Sequence, residues 1–220
     1  MSEKTMIKTS FEIYNRHLIK IMMVSLVIVI PFSLFIYFST YYLYDSLDAD
    51  QYPSLYMVFF IIMNFICIVP MYRKLTKSDI DDEEEPTVWE LIKEFFEHFG
   101  IILLISLPLF IIAVFGVALA FIPTIISGAL LLIFPFFIHN MNFRKVLRKT
   151  GSILKRENIF ILLDLLVVVS IQILIYSLLM QAFVTFENNV YVYGIMRAIV
   201  NASIFPFLIF YLTQRYSLDE

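Results

Sequence analysis

The chain has 220 residues, of which 60% are hydrophobic and only 16% are charged, and its mean hydropathy is +0.85. A soluble domain usually has about a quarter of its residues charged, and a domain of this size could not bury so much apolar surface. These numbers argue against a soluble enzyme, a nucleic-acid-binding domain and a disordered chain, and the net charge of −3 favours no polyanionic partner. The composition predicts a chain whose solvent is a lipid bilayer.

Apolar runs predict the spans of this chain in order. Residues 1–20 are polar and amphipathic and are followed by no small-residue cleavage site, so we expect the first apolar run to remain in the protein as a span. A helix needs about 20 apolar residues to cross the bilayer. The runs that meet or approach this length predict spans at about residues 21–44, 53–71, 100–121, 124–139, 159–183 and 190–213.

The stretch 100–138 decides whether there are five spans or six. It carries no formal charge, and as a single helix it would be about twice as long as the bilayer is thick. Pro123 is a natural place for a break. The sequence therefore predicts an all-α integral membrane protein with six transmembrane helices in a single polytopic membrane domain that covers residues 1–220.

The basic residues predict the orientation of these helices. They occur in the N-terminal segment, in the connections 72–99 and 140–158 and in the C-terminal tail, whereas the first, third and fifth connections contain none. Because basic loops stay in the cytoplasm, this pattern predicts that both termini and the loops 72–99 and 140–158 are cytoplasmic. A single span over 100–138 would place the basic residues 144–156 outside, which the same rule disfavours.

A weak threefold repeat accompanies the six spans. The even-numbered spans share a proline between bulky apolar residues, at Pro70, Pro135 and Pro206. Each odd-numbered span follows a segment with helical apolar spacing, and these segments lie at about residues 11–20, 89–98 and 143–157. The pattern predicts three units, each an amphipathic interfacial helix followed by a transmembrane hairpin.

The segment between the fourth and fifth spans carries a family resemblance. Residues 134–158 contain Phe134-Pro135-Phe136 and then the basic run NFRKVLRKTGSILKREN. This stretch resembles a recurring element of bacterial six-span integral membrane proteins, among them the membrane domain found fused to glycerophosphodiester phosphodiesterases. The resemblance extends over roughly residues 85 to 215 and implies the six-span architecture and an accessory role. The chain contains no counterpart of the phosphodiesterase domain, so the resemblance transfers no catalytic residue.

Three polar residues inside predicted spans form a candidate intramembrane site. Asp164 and Gln172 lie in the fifth span and Arg197 in the sixth. Ionisable residues in a span are costly and often mark a proton or ion route. The favoured alternative is structural: Asp164 would be hydrated or paired with a basic residue such as Lys20, Gln172 would donate an interhelical hydrogen bond, and Arg197 would extend outward, for example to Glu187. On the predicted topology Asp164 and Arg197 lie near opposite membrane faces.

The basic segment after the fourth span is the strongest surface feature. Basic residues near a membrane surface attract anionic lipid by about 1 kcal/mol each. The candidate contacts with anionic lipid of the cytoplasmic face, or with a membrane or cytoplasmic protein partner, are Arg144, Lys145, Arg148, Lys149, Lys155 and Arg156. The same residues also serve as topology determinants.

The sequence contains no enzymatic signature. Glu94 and His98 share a helix face, but no HxxxH or HExxH spacing is present, so we expect no metal and no cofactor. Cys67 is the only cysteine, which excludes an intramolecular disulfide. We therefore expect a multi-pass plasma-membrane protein without enzymatic activity or nucleic-acid partner, acting as an accessory or scaffold subunit of an export or envelope-assembly complex. The alternative is a small transporter or channel that uses Asp164 and Arg197.

Overall fold

A computed structural model describes residues 3–46, 53–81, 84–116, 122–138, 143–157, 160–182 and 189–216. These residues are almost entirely helical and include no strand, which confirms the all-α fold class. The helices are α1 (Glu3–Arg16), α2 (Leu18–Val24), α3 (Ile30–Ser46), α4 (Pro53–Ile66), α5 (Val69–Ile80), α6 (Val88–Gly116), α7 (Ile122–Ile133), α8 (Phe143–Glu157), α9 (Phe160–Ala182) and α10 (Val190–Tyr216).

Four helical stretches in the described residues are long and apolar enough to cross a bilayer. They are Leu18–Leu43, Phe59–Ile80, Val88–Gly116 and Val190–Tyr216. Two shorter apolar helices, Ile122–Phe136 and Leu166–Leu179, coincide with the fourth and fifth predicted spans. The chain therefore has the helices of an integral membrane protein.

The first span is widened in its middle. The π-helical segment Ser25–Val29 joins α2 to α3, and the Ile30 backbone N–H donates to the Ser25 carbonyl instead of the carbonyl one residue later. Pro31 follows directly. A proline ring has no N–H to donate and crowds the carbonyl four residues before it, so a locally wider turn relieves the contact.

The three prolines of the predicted repeat act differently. α4 ends at Ile66, and α5 begins at Val69 with Pro70 in its first turn. α7 ends at Ile133 and passes into a 3-10 segment, Phe134–Phe136, that contains Pro135. A backbone N–H in the first turn of a helix has no partner within that helix, so a proline there costs no hydrogen bond. The helix therefore breaks just before Pro70 and Pro135, and each proline begins the next segment. Pro206 instead lies inside the continuous helix α10.

The candidate spans Phe59–Ile80 and Val190–Tyr216 form the centre of the bundle. In the most apolar stretch of each candidate span, 89% of the residues are buried for Phe59–Ile80 and 50% for Val190–Tyr216. The corresponding fractions are only 33% for Leu18–Leu43, the first span, and 22% for Val88–Gly116, the third. The buried rings of Phe65 and Phe205 join these two elements edge to face, with centroids 5.2 Å apart, and Phe136 of the stretch Ile122–Phe136 contacts Tyr216 in the same way at 5.2 Å. The first and third spans thus turn most of their apolar surface outward, as lipid contact requires.

The connection predicted at residues 72–99 is mostly helical. α5 extends to Ile80 and α6 begins at Val88, so the amphipathic segment 89–98 and the third span form one uninterrupted helix. No proline separates them, and Gly100 is tolerated inside the helix. In contrast, α1 ends at a turn at His17, and α8 is a separate helix.

Candidate functional site

Asp164 is buried near the start of α9, and both of its carboxylate oxygens have partners on α10. Arg215 Nη1 donates to Oδ1 at 2.7 Å, and the Tyr216 hydroxyl donates to Oδ2 at 3.1 Å. The antiparallel packing of α9 and α10 brings the start of one helix to the end of the other. A buried carboxylate is costly unless it is paired and hydrogen-bonded. These contacts therefore fasten one end of the α9–α10 hairpin.

Arg197 belongs to a different group of side chains further along the same hairpin. Its guanidinium carbon lies 5.2 Å from the centroid of the Tyr176 ring of α9, which is cation–π geometry. Tyr37 of α3 packs against the backbone at nearby Gly194. Glu187, the partner considered above, lies outside the described residues. Gln172 lies in α9, and its side chain is likewise outside the described part.

A buried polar cluster joins three spans in the middle of the bundle. The Ser33 hydroxyl of α3 lies 3.1 Å from the side-chain amide of Asn64 on α4 and accepts from Asn201 Nδ2 of α10 at 3.3 Å. All three side chains are buried. Sequence reasoning concentrated on charges and missed this cluster, although two asparagines inside apolar runs were a visible signal. Hydrogen bonds of this kind hold helices together in a membrane.

A group of charged side chains, which we name the N-terminal clamp, ties the junction of α1 and α2 to the end of α5 and to the segment between α5 and α6. Arg16 Nη1 and His17 Nε2 lie 2.6 Å and 3.1 Å from Asp79 Oδ1, and Lys20 Nζ lies 2.5 Å from Glu85 Oε2. The Lys20 ammonium lowers the pKa of Glu85 from its ordinary value of 4.5. Lys20 thus pairs with Glu85 and not with Asp164, the partner considered from the sequence.

Glu94, Glu97 and His98 bring potential metal ligands together on one face of α6. Their ligand atoms lie within 4.8 Å of one another. Each carboxylate is also close to an ammonium, with Lys74 Nζ 3.3 Å from Glu94 and Lys93 Nζ 3.5 Å from Glu97. A cation would have to compete with both lysines, so the arrangement is better described as an ion-pair network.

The basic helix α8 has two distinct faces. Val146, Thr150 and Ile153 are buried against the bundle. Arg156 is exposed, and its Nη2 donates to the Arg215 carbonyl at 3.2 Å. Lys149 Nζ lies 5.7 Å from the centroid of the Phe137 ring. The four remaining candidates are exposed, and we name them the α8 basic face: Arg144, Lys145, Arg148 and Lys155. Charges on this face point away from the helices to which α8 is attached.

No family model, curated protein or solved structure matches this chain. The resemblance to six-span bacterial membrane proteins therefore stays a prediction, and inferences about function depend on the residues themselves.

Proposed function

We propose that this chain is a six-span plasma-membrane protein that acts as a non-enzymatic accessory or scaffold subunit of an export or envelope-assembly complex. The observation that carries the proposal is the α8 basic face. Its four side chains are exposed while the opposite side of α8 is buried, so the helix is fixed in place with its charges available. A fixed patch of positive charge attracts acidic surfaces and anionic headgroups.

Helix lengths and charge distribution support six crossings. α9 has 23 residues, which is about 34 Å at the usual rise. The stretch Ile122–Phe136 is about 22 Å long, and a short hydrophobic segment can be accommodated by local thinning of the bilayer. With six crossings, both termini and α8 lie on one side, which the basic residues identify as the cytoplasm.

Transport through Asp164 and Arg197 is the alternative. The geometry favours it less, because Asp164 is paired with Arg215 and Arg197 stacks on Tyr176, so each charge takes part in a separate helix contact. Proton and cation flux into liposomes that contain the full chain tests this alternative. Flux that is lost in Asp164→Asn would overturn the scaffold proposal, and equal background flux in both proteins is the expected result.

Co-purification in mild detergent tests the scaffold proposal directly. We expect a defined partner protein to remain bound in fixed stoichiometry to the wild-type chain and to be lost from the variant Arg144→Gln/Lys145→Gln. The matched control is Lys4→Gln/Lys8→Gln, which removes the same charge from exposed positions of α1. A solitary protein, or equal retention by both variants, would contradict the proposal. Equal thermal midpoints of the variants show that the fold is intact.

A further inference from the structure

An apolar groove opens on the outer surface of the bundle between the first and third spans. It has a volume of about 590 Å³ and is lined by Val27, Trp89, Ile92, Lys93 and Phe96. Val27 comes from the π-helical segment, and the other four lie along one face of the first turns of α6. Small-molecule sites usually have volumes of about 300–1,000 Å³, so the groove can accept part of a lipid-sized molecule.

Both walls of the groove are set by backbone structure. The first wall is the widened turn Ser25–Val29, and π-helical turns are frequent at functional sites. The second wall begins at a capping box, in which the Thr87 N–H donates to the Glu90 carboxylate at 2.8 Å and the Glu90 N–H donates to the Thr87 hydroxyl at 3.3 Å. This cap holds the first turn of α6 in place beside the groove.

The groove has apolar and aromatic walls, and one of its lining residues, Lys93, is paired with a carboxylate beside it. Trp89 and Phe96 are 73% and 65% exposed, which for residues at the start of a span places aromatic surface against lipid. Lys93 Nζ lies 3.5 Å from the Glu97 carboxylate one turn further on, and both side chains are exposed. Lys93 lines the groove and Glu97 does not, so a positive charge lies at the edge of the groove with a negative charge next to it.

We propose that this groove binds one zwitterionic aminophospholipid, a diacyl lipid whose headgroup carries a phosphate and a primary ammonium. An acyl chain lies against Val27, Ile92 and Phe96, the phosphate meets Lys93, and the ammonium donates to Glu97. The headgroup of phosphatidylglycerol carries the same phosphate but no cation that could pair with Glu97, and the quaternary ammonium of phosphatidylcholine has no N–H to donate. The inference requires membrane insertion but does not depend on a scaffold role.

The single tryptophan of the chain makes the test direct, because Trp89 lines the groove and no other tryptophan contributes to the signal. The full chain is reconstituted in vesicles of phosphatidylcholine that contain a rising fraction of brominated phosphatidylethanolamine, phosphatidylcholine or phosphatidylglycerol. We expect the ethanolamine lipid to quench Trp89 with an apparent affinity about two- to fivefold higher than that of the other two lipids. This is the size of preference that one exposed ion pair provides. Lys93→Gln should abolish this preference.

A matched pair of variants separates the groove from general lipid contact. Val27→Phe fills the groove and should weaken quenching by the ethanolamine lipid, whereas Val167→Phe, at a similarly exposed position of α9, should not. Equal quenching by all three headgroups, a preference for phosphatidylglycerol, or a preference that survives Lys93→Gln would overturn the proposal. None of these outcomes changes the co-purification result expected for a scaffold.

Discussion

At the scale of single residues, Asp164 illustrates how a charge within a span can be structural. Its carboxylate is buried, and Arg215 and Tyr216 supply the opposite charge and a hydroxyl donor. Removing one member of a buried ion pair leaves the other uncompensated, which usually costs more than the pair contributes. The stability of the α9–α10 hairpin should therefore depend on both members together.

A double-mutant cycle with Asp164→Asn and Arg215→Gln tests this dependence. Each single change should lower the free energy of unfolding in mixed micelles, and the double change should cost less than the two effects added, with a coupling energy of about 1–3 kcal/mol. Lys155→Gln, an exposed change on α8, should have little effect. Strictly additive effects of Asp164→Asn and Arg215→Gln would show that the ion pair does not stabilise the protein.

The polar cluster of Ser33, Asn64 and Asn201 allows a second prediction with an internal control. Ser33→Ala should lower the free energy of unfolding by about 1–2 kcal/mol, because it removes a hydroxyl that joins side chains of two other spans. Ser106 is equally buried, and its hydroxyl has no hydrogen-bond partner among the described residues. Ser106→Ala should therefore be close to neutral in the same denaturant titration. Equal effects of the two changes would contradict a structural role for the cluster.

Residue types were easier to predict from the sequence than residue partners. Asp164 and Arg197 were visible as charges inside apolar runs, but the partner of Asp164 was not, because several basic residues lie near the same end of the bundle. Lys20 and Arg215 both lie, like Asp164, near the predicted cytoplasmic end of a span, so the sequence alone allows either as its partner. The rotation of each helix about its axis decides between them, and a uniformly apolar run carries little information about rotation.

At the scale of helices, the crossing of α6 and α7 depends on a close approach at Gly116. A Cβ there would lie 2.6 Å from the Thr124 backbone nitrogen and 2.8 Å from its hydroxyl, which donates to the Ala113 carbonyl. Gly116→Ala should cost about 1–3 kcal/mol of stability through overpacking. Gly100 lies in the same helix with nothing within 4 Å of its Cβ position, so Gly100→Ala should be neutral or stabilising. Thermal unfolding in detergent distinguishes these outcomes, and equal midpoints would contradict the close approach.

The N-terminal clamp predicts a pH dependence. Because Lys20 lowers the pKa of Glu85, the pair stabilises the fold fully above the ordinary carboxyl value of 4.5, and this contribution is lost as the pH falls through the lowered pKa. His17 and Asp79 also act on the Glu85 carboxylate and are unchanged in the variant. Lys20→Gln should therefore lower the thermal midpoint at neutral pH and match the wild-type chain in strong acid. A difference that grows in acid would contradict this assignment.

Helix boundaries were predictable only where a residue dictates them. Pro70 and Pro135 lie where a helix breaks, whereas Pro206, in a similar local sequence, lies within an unbroken α10. Local sequence could not distinguish these cases, because contacts with neighbouring helices compensate for a lost backbone hydrogen bond in a membrane protein. The sequence analysis also missed that α6 is continuous. An amphipathic segment and the apolar span that follows it form one helix when no helix-breaking residue lies between them.

At the scale of the whole molecule, the buried stretches Phe59–Ile80 and Val190–Tyr216 form a core on which the outer helices are arranged. Sequence alone predicted the all-α class from composition, but it could not rank the spans by burial, since lipid-facing and core-facing helices are equally apolar. Polar side chains within the spans then stabilise helix contacts, and the α8 basic face remains exposed. The ion pair of Asp164, the ring contact of Arg197 and the exposed α8 basic face are what favour the proposed scaffold over a transporter.

The central claim is that six crossings place α8 in the cytoplasm with the N-terminus. Labelling with a membrane-impermeant maleimide tests it, in a background with Cys67→Ser and one new cysteine at an exposed position, either Ser152→Cys in α8 or Lys8→Cys in α1. The account predicts that neither protein is labelled in intact cells and that both are labelled once the membrane is opened. Labelling of Ser152→Cys in intact cells while Lys8→Cys stays protected would mean an odd number of crossings between them and would contradict the account.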